Sequence, residues 1–153
     1  MVIDDLADRP HHCTLLLDQT YNRTANDYTH LISDNCPVLT GQHYGILRRE
    51  FSCLRRDSLL RRKNTQLRNI LITMGGTDHL DTSGKILRAL TFTNLTQNCT
   101  ITVVMGAQAP HLENTRQLAQ QMPWHCRVMV EVSNMAELMA ASDLAIGAVG
   151  GTA

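Results

Sequence analysis

The sequence is poor in aromatic residues, has no excess of charge of either sign and contains no long hydrophobic run. Phe, Trp and Tyr make up 4% of the 153 residues, and 14 basic side chains balance 14 acidic ones. No apolar stretch approaches the roughly 18 residues of a membrane span, and the opening MVIDD is not a signal peptide. A net charge of zero gives no support to a general affinity for nucleic acid or for an acidic membrane. We therefore expect neither as a partner.

Paired-cysteine motifs and dinucleotide fingerprints are also absent. The five cysteines are odd in number, widely spaced and include no Cys-x-x-Cys; they are Cys13, Cys36, Cys53, Cys99 and Cys126. This pattern favours reduced thiols of a cytoplasmic protein over a disulfide framework or a zinc site. His11 and His12 precede Cys13, but neighbouring residues on a strand point to opposite faces, so we expect no metal there. No Gly-x-Gly-x-x-Gly follows a candidate strand, and we expect no cofactor.

One short region holds most of the positive charge. Eight of the 14 basic residues lie between positions 48 and 68: Arg48, Arg49, Arg55, Arg56, Arg61, Arg62, Lys63 and Arg68. The cluster favours a solvated face of a helix or linker. The alternative is a nucleic-acid-binding face, for which affinity would fall steeply with salt.

The stretch 67–81 is the most informative part of the chain. Its residues 69–74 form an apolar run rich in β-branched side chains, which predicts a buried strand. Gly75 and Gly76 follow directly, and a glycine can take φ > 0 without a Cβ clash. The sequence therefore predicts a strand that ends in a tight glycine turn.

A helix is predicted after this turn, over residues 81–91, with Thr77 and Asp78 offering N-cap oxygens. A strand, a glycine turn and a helix N-terminus together present free N–H groups and a positive dipole end to a phosphate. The alternative is an ordinary strand-to-helix turn that needs two glycines for its geometry.

From residue 67 onward, strands and helices alternate. The predicted strands are 70–74, 100–105, 127–132 and 144–146, and the predicted helices are 82–90, 111–121 and 135–141. This alternation predicts an α/β fold in which right-handed βαβ units form a parallel, Rossmann-like sheet. Ligands bind beyond the carboxyl ends of the strands in such sheets. Three strand ends carry candidate ligand loops, at residues 75–78, 106–108 and 147–153.

Four blocks of sequence resemble the UDP-sugar hydrolases of the pseudaminic acid pathway. They are residues 3–19 (IDDLADRPHHCTLLLDQ), 44–51 (YGILRREF), 74–78 (MGGTD) and 134–139 (NMAELM). The order and spacing of these blocks cover nearly the whole chain. The second half is also similar to the MurG-type glycosyltransferases, which share the two-domain GT-B fold of that hydrolase family.

The resemblance implies that the chain is an excerpt of a longer protein with two Rossmann-like domains. Residues 1–36 would be the end of the first domain, 37–66 a connecting segment that contains a basic helix over 51–63, and 67–153 a nucleotide-binding domain. The last glycine-rich loop would normally open a helix, and that helix is not in this sequence. We therefore expect the second domain to be incomplete.

The resemblance also implies a reaction. The family hydrolyses a UDP-linked diacetamido-trideoxy-altrose to UDP and the free sugar, in the synthesis of surface glycans. Water would attack the anomeric carbon with help from a histidine in a Gly-x-Gly-His loop. That loop does not occur in this sequence, so we assign no catalytic residue and expect the chain alone to be inactive. The alternatives are a glycosyltransferase related to the MurG type and a UDP-binding module without catalysis.

Binding residues are implied only where the blocks match. The diphosphate would meet Gly75, Gly76, Thr77, Gly150, Gly151 and Thr152, and backbone groups of Val132, Ser133, Asn134 and Met135 would read uracil. On a purely structural interpretation, Val132 closes a strand, Asn134 caps a helix and Met135 belongs to its core stripe. The family's ribose-binding glutamate would lie beyond Ala153, and losing it should weaken nucleotide binding by roughly 1.5–3 kcal/mol.

Asp5, Tyr44 and Arg48 are possible contacts with the sugar or at the domain boundary. For the pair Asp4 and Asp5, the alternative is that one caps the next turn and the other is exposed. For Tyr44 and Arg48, packing at the boundary is the main expectation and sugar contact the minor one. The partner that follows from all of these residues is a UDP-sugar substrate.

Overall fold

A computed structural model describes residues 1–63 and 66–148 of the protein. The chain divides into two compact units, Met1–Arg48 and Arg49–Ala153. Both units contain a parallel sheet, which confirms the predicted α/β class. Within the described residues, no helix has both the length and the apolar character that a membrane crossing requires.

The first unit is built on three short parallel strands. These are β1 (Val2–Ile3), β2 (Leu16–Asp18) and β3 (Val38–Thr40), in the order β1-β2-β3. Two 3-10 turns, Ala25–Tyr28 and Gln42–Tyr44, lie in the segments that precede and follow β3. The fully buried Leu16 and Tyr28 form a small core with the buried Cys36.

The second unit contains the regular alternation that the sequence predicts. Its elements are α1 (Arg49–Arg61), β4 (Asn69–Thr73), α2 (Thr82–Leu90), β5 (Thr100–Met105), α3 (Leu112–Gln120), β6 (His125–Val130), α4 (Met135–Ala141) and β7 (Leu144–Gly147). The strand order is β6-β5-β4-β7, and all pairs are parallel. Short apolar runs form the two central strands, so β4 and β5 are buried on both faces, as is usual for parallel sheets.

One face of this sheet carries the main core. Ile70, Ile72, Ile101 and Val103 pack there with residues of α2 and α3, among them the fully buried Leu87. Because side chains alternate along a strand, the intervening residues of β4 and β5 point to the other face. A second layer of helices covers β4, where α4 contacts the strand and α1 packs against α4.

Arg61, the last residue of α1, ties this helix to the rest of the second unit. Its guanidinium donates hydrogen bonds to the backbone carbonyls of Ala140 and Ser142 and to the carboxylate of Asp143. A guanidinium can satisfy several acceptors at once because its five N–H donors form a rigid fork. Arg61 therefore connects α1 to the end of α4 and the start of β7.

Asp143 also holds the beginning of β4. Its carboxylate accepts the backbone amides of Arg68 and Asn69 at 2.9 and 2.8 Å. Burial raises the pKa of Asp143, but the hydrogen bonds from Arg61 and from these two amides outweigh it and lower the pKa below the usual value. Asp143 is thus the point at which α1, β4 and β7 are joined.

The division between the two units, after Arg48, falls within the expected connecting segment. The expected connecting segment 37–66 is shared between the units, because β3 pairs with β2 in the first and α1 packs against α4 in the second. The basic helix itself is confirmed, at Arg49–Arg61 rather than 51–63. Arg55 and Arg56 on α1 are exposed, in agreement with the solvated face expected of the basic cluster.

Candidate functional site

The carboxyl ends of the strands in the second unit bring three loops to one edge of the sheet. The loops follow β4 (residues 74–81), β5 (residues 106–111) and β6 (residues 131–134). The end of β7 lies beside that of β4, since Thr73 pairs with Gly147 and the Ala148 amide donates to the Thr73 carbonyl at 3.3 Å. In a parallel sheet this edge is the usual place for a ligand.

The glycine turn after β4 is open to solvent. Gly75 has φ +81°, the left-handed region that favours glycine, and a Cβ on either Gly75 or Gly76 would meet nothing within 4 Å. Both glycines and Thr77 are exposed, and the hydrogen bonds of the described residues leave the amides of all three unused. These amides therefore have no acceptor among the described residues, which is what the phosphate interpretation requires.

Asp78 changes the expected role of the helix that follows. Its carboxylate accepts the amides of Thr82 and Ser83, the first two residues of α2, at 2.8 and 2.9 Å. Burial raises the pKa of Asp78, but these bonds lower it below its usual value, so the capping group carries a negative charge. The predicted capping oxygen of Asp78 is confirmed, although Asp81 occupies the N-cap position itself, and Thr77 makes no such bond.

The N-terminus of α2 therefore does not present the bare amides that the sequence predicts. Its first amides already have an anionic partner in Asp78, and the helix begins only at Thr82. A second anion there would meet the Asp78 carboxylate at close range. Any phosphate at this edge would instead have to use the exposed amides of Gly75, Gly76 and Thr77.

The loop after β5 touches the loop after β4 at two points. Gly106 lies against Gly76 so closely that an added Cβ would be 3.0 Å from the Gly76 carbonyl carbon and closer still to its oxygen. Further along, Nε2 of His111 lies 3.1 Å from the carbonyl oxygen of His79. Gly106 was a candidate from its position at a strand end; the contact of His111 gives no signal in the sequence.

The loop after β6 begins two residues earlier than predicted from the sequence, at residue 131 rather than 133. The strand ends at Val130, because Glu131 has φ +49° and leaves the extended conformation. Val132 therefore does not close the strand, contrary to the structural interpretation of that residue. The Glu131 amide donates to the Met105 carbonyl at 3.1 Å, which places this loop beside the end of β5.

Asn134 occupies the N-cap position of α4, but its side chain does not cap the helix. Its backbone carbonyl accepts the amides of Glu137 and Leu138, while its Nδ2 donates to the Glu137 carboxylate at 3.0 Å. Ser133 and Asn134 are exposed, and Val132 and Met135 are half-buried. The predicted uracil loop thus presents exposed backbone at the same edge as the glycine turn.

The other predicted diphosphate residues, Gly150, Gly151 and Thr152, lie outside the described residues. In the first unit, Asp5, Tyr44 and Arg48 are exposed, and the Asp5 carbonyl accepts a hydrogen bond from Arg23 at 2.8 Å.

Asp4 is the buried member of the acidic pair. Its carboxylate accepts the Ala7 amide at 2.9 Å, which is the capping role expected for one of the two acids. Burial raises the pKa of Asp4, but the hydrogen bonds from Ala7 and from the Tyr28 hydroxyl lower it to about 2. Asp4 is therefore ionised and structural.

A polar network in the first unit was not predicted. The Tyr28 hydroxyl lies 2.8 Å from the Asp4 carboxylate and 2.7 Å from that of Asp18, and Arg23 Nε donates to Asp18 at 2.6 Å. Acids at the ends of two strands were visible in the sequence, but the tyrosine comes from a 3-10 turn ten residues beyond Asp18. Among residues 1–63 and 66–148, no three His, Cys, Asp or Glu side chains are grouped so as to hold a metal ion.

No family model matches the chain, but three curated proteins resemble it. It is 33% identical over 114 residues to an uncharacterized protein of Methanocaldococcus jannaschii. This match covers 73% of this chain and 23% of that protein. It is 30% identical over 119 residues to the spore coat polysaccharide biosynthesis protein SpsG of Bacillus subtilis, covering 78% of this chain and 34% of that protein.

The third relative is the UDP-2,4-diacetamido-2,4,6-trideoxy-beta-L-altropyranose hydrolase of Campylobacter jejuni, 28% identical over 135 residues. The match covers 88% of this chain and 45% of the hydrolase. The chain thus spans less than half the length of each of these relatives. Over most of its residues, the chain is similar in sequence to a UDP-sugar hydrolase and to a protein of polysaccharide biosynthesis.

Proposed function

We propose that the chain is the nucleotide-binding part of a cytoplasmic UDP-sugar hydrolase of pseudaminic acid synthesis. Its substrate would be UDP-2,4-diacetamido-2,4,6-trideoxy-β-L-altrose, as in the name of the similar Campylobacter jejuni protein. In this role the second unit binds the UDP portion, and the parent protein needs no metal or organic cofactor. Neither nucleic acid nor a membrane is a partner.

The observation that carries this proposal is the glycine turn. Gly75, Gly76 and Thr77 are exposed at the carboxyl edge of a parallel sheet, and no hydrogen bond among the described residues uses their amides. Successive free N–H groups in a turn are the donors that phosphate oxygens require. With α2 already capped by Asp78, these amides are what the loop offers to a diphosphate.

The strand order supports a single nucleotide that lies along this edge. Neighbouring strands are about 4.8 Å apart, so the loops after β4 and β6, which β5 separates, begin about 10 Å from each other. A ribose and a phosphate can span such a distance. The uracil would meet residues 132–135 and the diphosphate residues 75–77, with the ribose above the loop after β5.

In the reaction, water attacks the anomeric carbon, and the bond between that carbon and the phosphate oxygen breaks. The bonding electrons leave with UDP, so negative charge develops on the terminal phosphate. Backbone amides directed at that phosphate stabilise the departing charge. The contribution of this chain is therefore to bind and stabilise the leaving group, and none of its residues is assigned as the base.

A UDP-binding module without catalysis is the second candidate for the chain itself. It is favoured by the absence of a Gly-x-Gly-His sequence, which would contain the catalytic histidine. Both candidates require UDP to bind, and they differ in whether UDP is released from a UDP-sugar.

A titration of isotope-labelled protein, followed by backbone amide shifts, tests the proposal. UDP should shift residues 75–77 and 132–135, UMP should shift mainly 132–135, and inorganic pyrophosphate should shift only 75–77. ADP is the control for the base, and it should leave 132–135 unshifted. The proposal fails if millimolar UDP shifts neither set, or if ADP and UDP give the same shifts.

A further inference from the structure

The loop after β5 holds the loop after β4 at both ends. At its start Gly106 lies against the backbone of Gly76, and at its end the ring of His111 reaches the carbonyl of His79. Between Gly76 and His79 lie Thr77 and the helix-capping Asp78. The exposed amides of the glycine turn therefore belong to a segment whose position a neighbouring loop determines.

Gly106 is a glycine because of space and not because of its backbone conformation. Its φ lies outside the left-handed region, so an alanine could adopt its backbone without strain. A Cβ there would, however, be 3.0 Å from the Gly76 carbonyl carbon and 3.2 Å from its Cα, and nearer still to the oxygen. These are backbone atoms, so the whole Gly76 peptide would have to move.

His111 contacts the loop after β4 at its His79 end. Its carbonyl accepts both the amide and the hydroxyl of Thr115 at 2.9 Å, which fixes the residue at the N-terminus of α3. Its Nε2 faces a carbonyl oxygen, which can only accept, so the ring must carry its hydrogen on that nitrogen to donate the bond. The His79 carbonyl is thereby tied to α3.

We infer that Gly106 and His111 are positioning residues for the nucleotide's phosphate turn. They set the direction of the Gly76 and Thr77 amides before a ligand arrives, so that binding does not have to order the loop. Neither residue contacts the ligand; both act through the backbone of the loop after β4. This inference rests on the proposed binding of UDP to that turn.

The first test is Gly106→Ala, with Ala107→Ser as the matched control at the next, exposed position of the same loop. In the ligand-free protein, Gly106→Ala should shift the amides of Gly76 and Thr77, and the control should not. The dissociation constant for UDP should rise about tenfold or more, the factor that corresponds to one lost hydrogen bond. Unshifted amides and an unchanged dissociation constant would overturn the inference.

The second test changes His111 and remains usable if the Gly106→Ala variant does not fold. His111→Ala removes the donor to His79 and should weaken UDP binding several-fold, whereas His111→Gln retains a side-chain N–H and should restore most of the affinity. Equal affinity of His111→Ala and wild type would refute the role of His111. Equal weakening by Ala and Gln would refute it too, because the hydrogen bond would then not be the cause.

The proposed function and this inference fail in different ways. If wild-type protein does not respond to UDP, the proposed function is wrong. The ligand-free amide shifts of Gly76 and Thr77 in Gly106→Ala still decide whether the loop after β5 positions the turn. If wild type binds UDP and both variants bind it equally well, only the positioning role is wrong.

Discussion

The hydroxyl of Tyr28 lies 2.7 Å from the carboxylate of Asp18 in the interior of the first unit. The same hydroxyl is 2.8 Å from Asp4, and all three side chains are almost completely buried. Burial raises the pKa of Tyr28, and the two nearby carboxylates raise it further, so the phenol keeps its hydrogen. A phenol has one hydrogen and can donate it to one carboxylate at a time. The hydroxyl oxygen of Tyr28 lies between the two negatively charged carboxylates.

Replacing Tyr28 with Phe should therefore destabilise the first unit. The change leaves two buried carboxylates without their common donor, a loss of about 1–3 kcal/mol in the free energy of unfolding. Tyr21→Phe is the matched control, since Tyr21 is 72% exposed in the same segment. Urea unfolding followed by amide signals of residues 2–40 measures both variants. Equal midpoints for the two would show that the network adds no stability.

Acid should destabilise the first unit through Asp4. The pKa of this carboxyl is about 2 in the folded chain, because the bonds from Ala7 and Tyr28 outweigh the effect of burial, and about 3.9 when unfolded. The unfolded chain then binds more protons between these values, so stability is complete above about pH 4 and declines toward pH 2. The loss from this group is about 2 kcal/mol.

The variant Asp4→Asn should reduce the slope of stability against pH between about pH 4 and pH 2. It should also lower the free energy of unfolding at pH 7, where Asp5→Asn, at the exposed neighbour, should have little effect. The lowered pKa values of Asp18, Asp78 and Asp143 act in the same direction and leave part of the slope in place. A slope unchanged by Asp4→Asn would contradict the assignment.

Gly76→Ala should separate binding from folding. A Cβ at Gly76 meets nothing within 4 Å, and the residue is not in the left-handed region, so the free energy of unfolding should change by less than about 0.5 kcal/mol. The same methyl group would stand where the phosphate approaches, and the dissociation constant for UDP should rise about tenfold or more.

The matched comparison for this prediction is Gly75→Ala. Gly75 has φ +81°, so this change should cost about 1–2 kcal/mol of stability whatever its effect on binding. Thermal unfolding measures the stability of both variants, and UDP titration measures their dissociation constants. If Gly76→Ala binds UDP as tightly as wild type, no phosphate lies close to that residue.

Cys13 and Cys36 should form a disulfide under mild oxidation. Both are free, and their sulfur atoms are 3.5 Å apart in the core of the first unit. Glutathione disulfide would supply the oxidant: Cys13 forms a mixed disulfide and releases one glutathione, and Cys36 then displaces the second. Burial raises the pKa of Cys36, and its hydrogen bond with Cys13 raises it further, so this last step should be slow at neutral pH.

Mass spectrometry under non-reducing conditions detects the product as the loss of two hydrogens. The cross-link should stabilise the first unit by about 3 kcal/mol, because it closes a loop in the unfolded chain. Cys53→Ser, at an exposed position, should leave its formation unchanged, and Cys36→Ser should abolish it. Pairing that persists in Cys36→Ser would show that other thiols react instead.

The second unit was predictable because its signals are local. Apolar, β-branched runs such as 69–73 specify strands, and Gly75 marks the turn by a backbone conformation that other residues avoid. The end of β6 was misplaced because Glu131, a residue with no turn preference of its own, adopts φ +49°. Asp78 was predicted to offer a capping oxygen, but only the structure shows that its carboxylate occupies the first two amides of α2.

Contacts between segments distant in sequence were not predictable. Tyr28 reaches Asp4 across 24 positions, and His111 reaches His79 across 32. Neither pair lies on a common helix face or strand, so no periodicity brings them together. The close approach of Gly106 and Gly76 is of the same kind, since it depends on the parallel register of β4 and β5.

The bond network of Arg61 and Asp143 has a consequence for preparing the second unit as a separate polypeptide. A gene segment that starts at residue 67, where the regular alternation begins, would encode β4 through β7 but omit α1. Asp143 would then lose its guanidinium, and α4 would lose the helix that packs on it. A segment that starts at Arg48 retains both. Recombinant expression of the second unit should therefore start before α1 and not at β4.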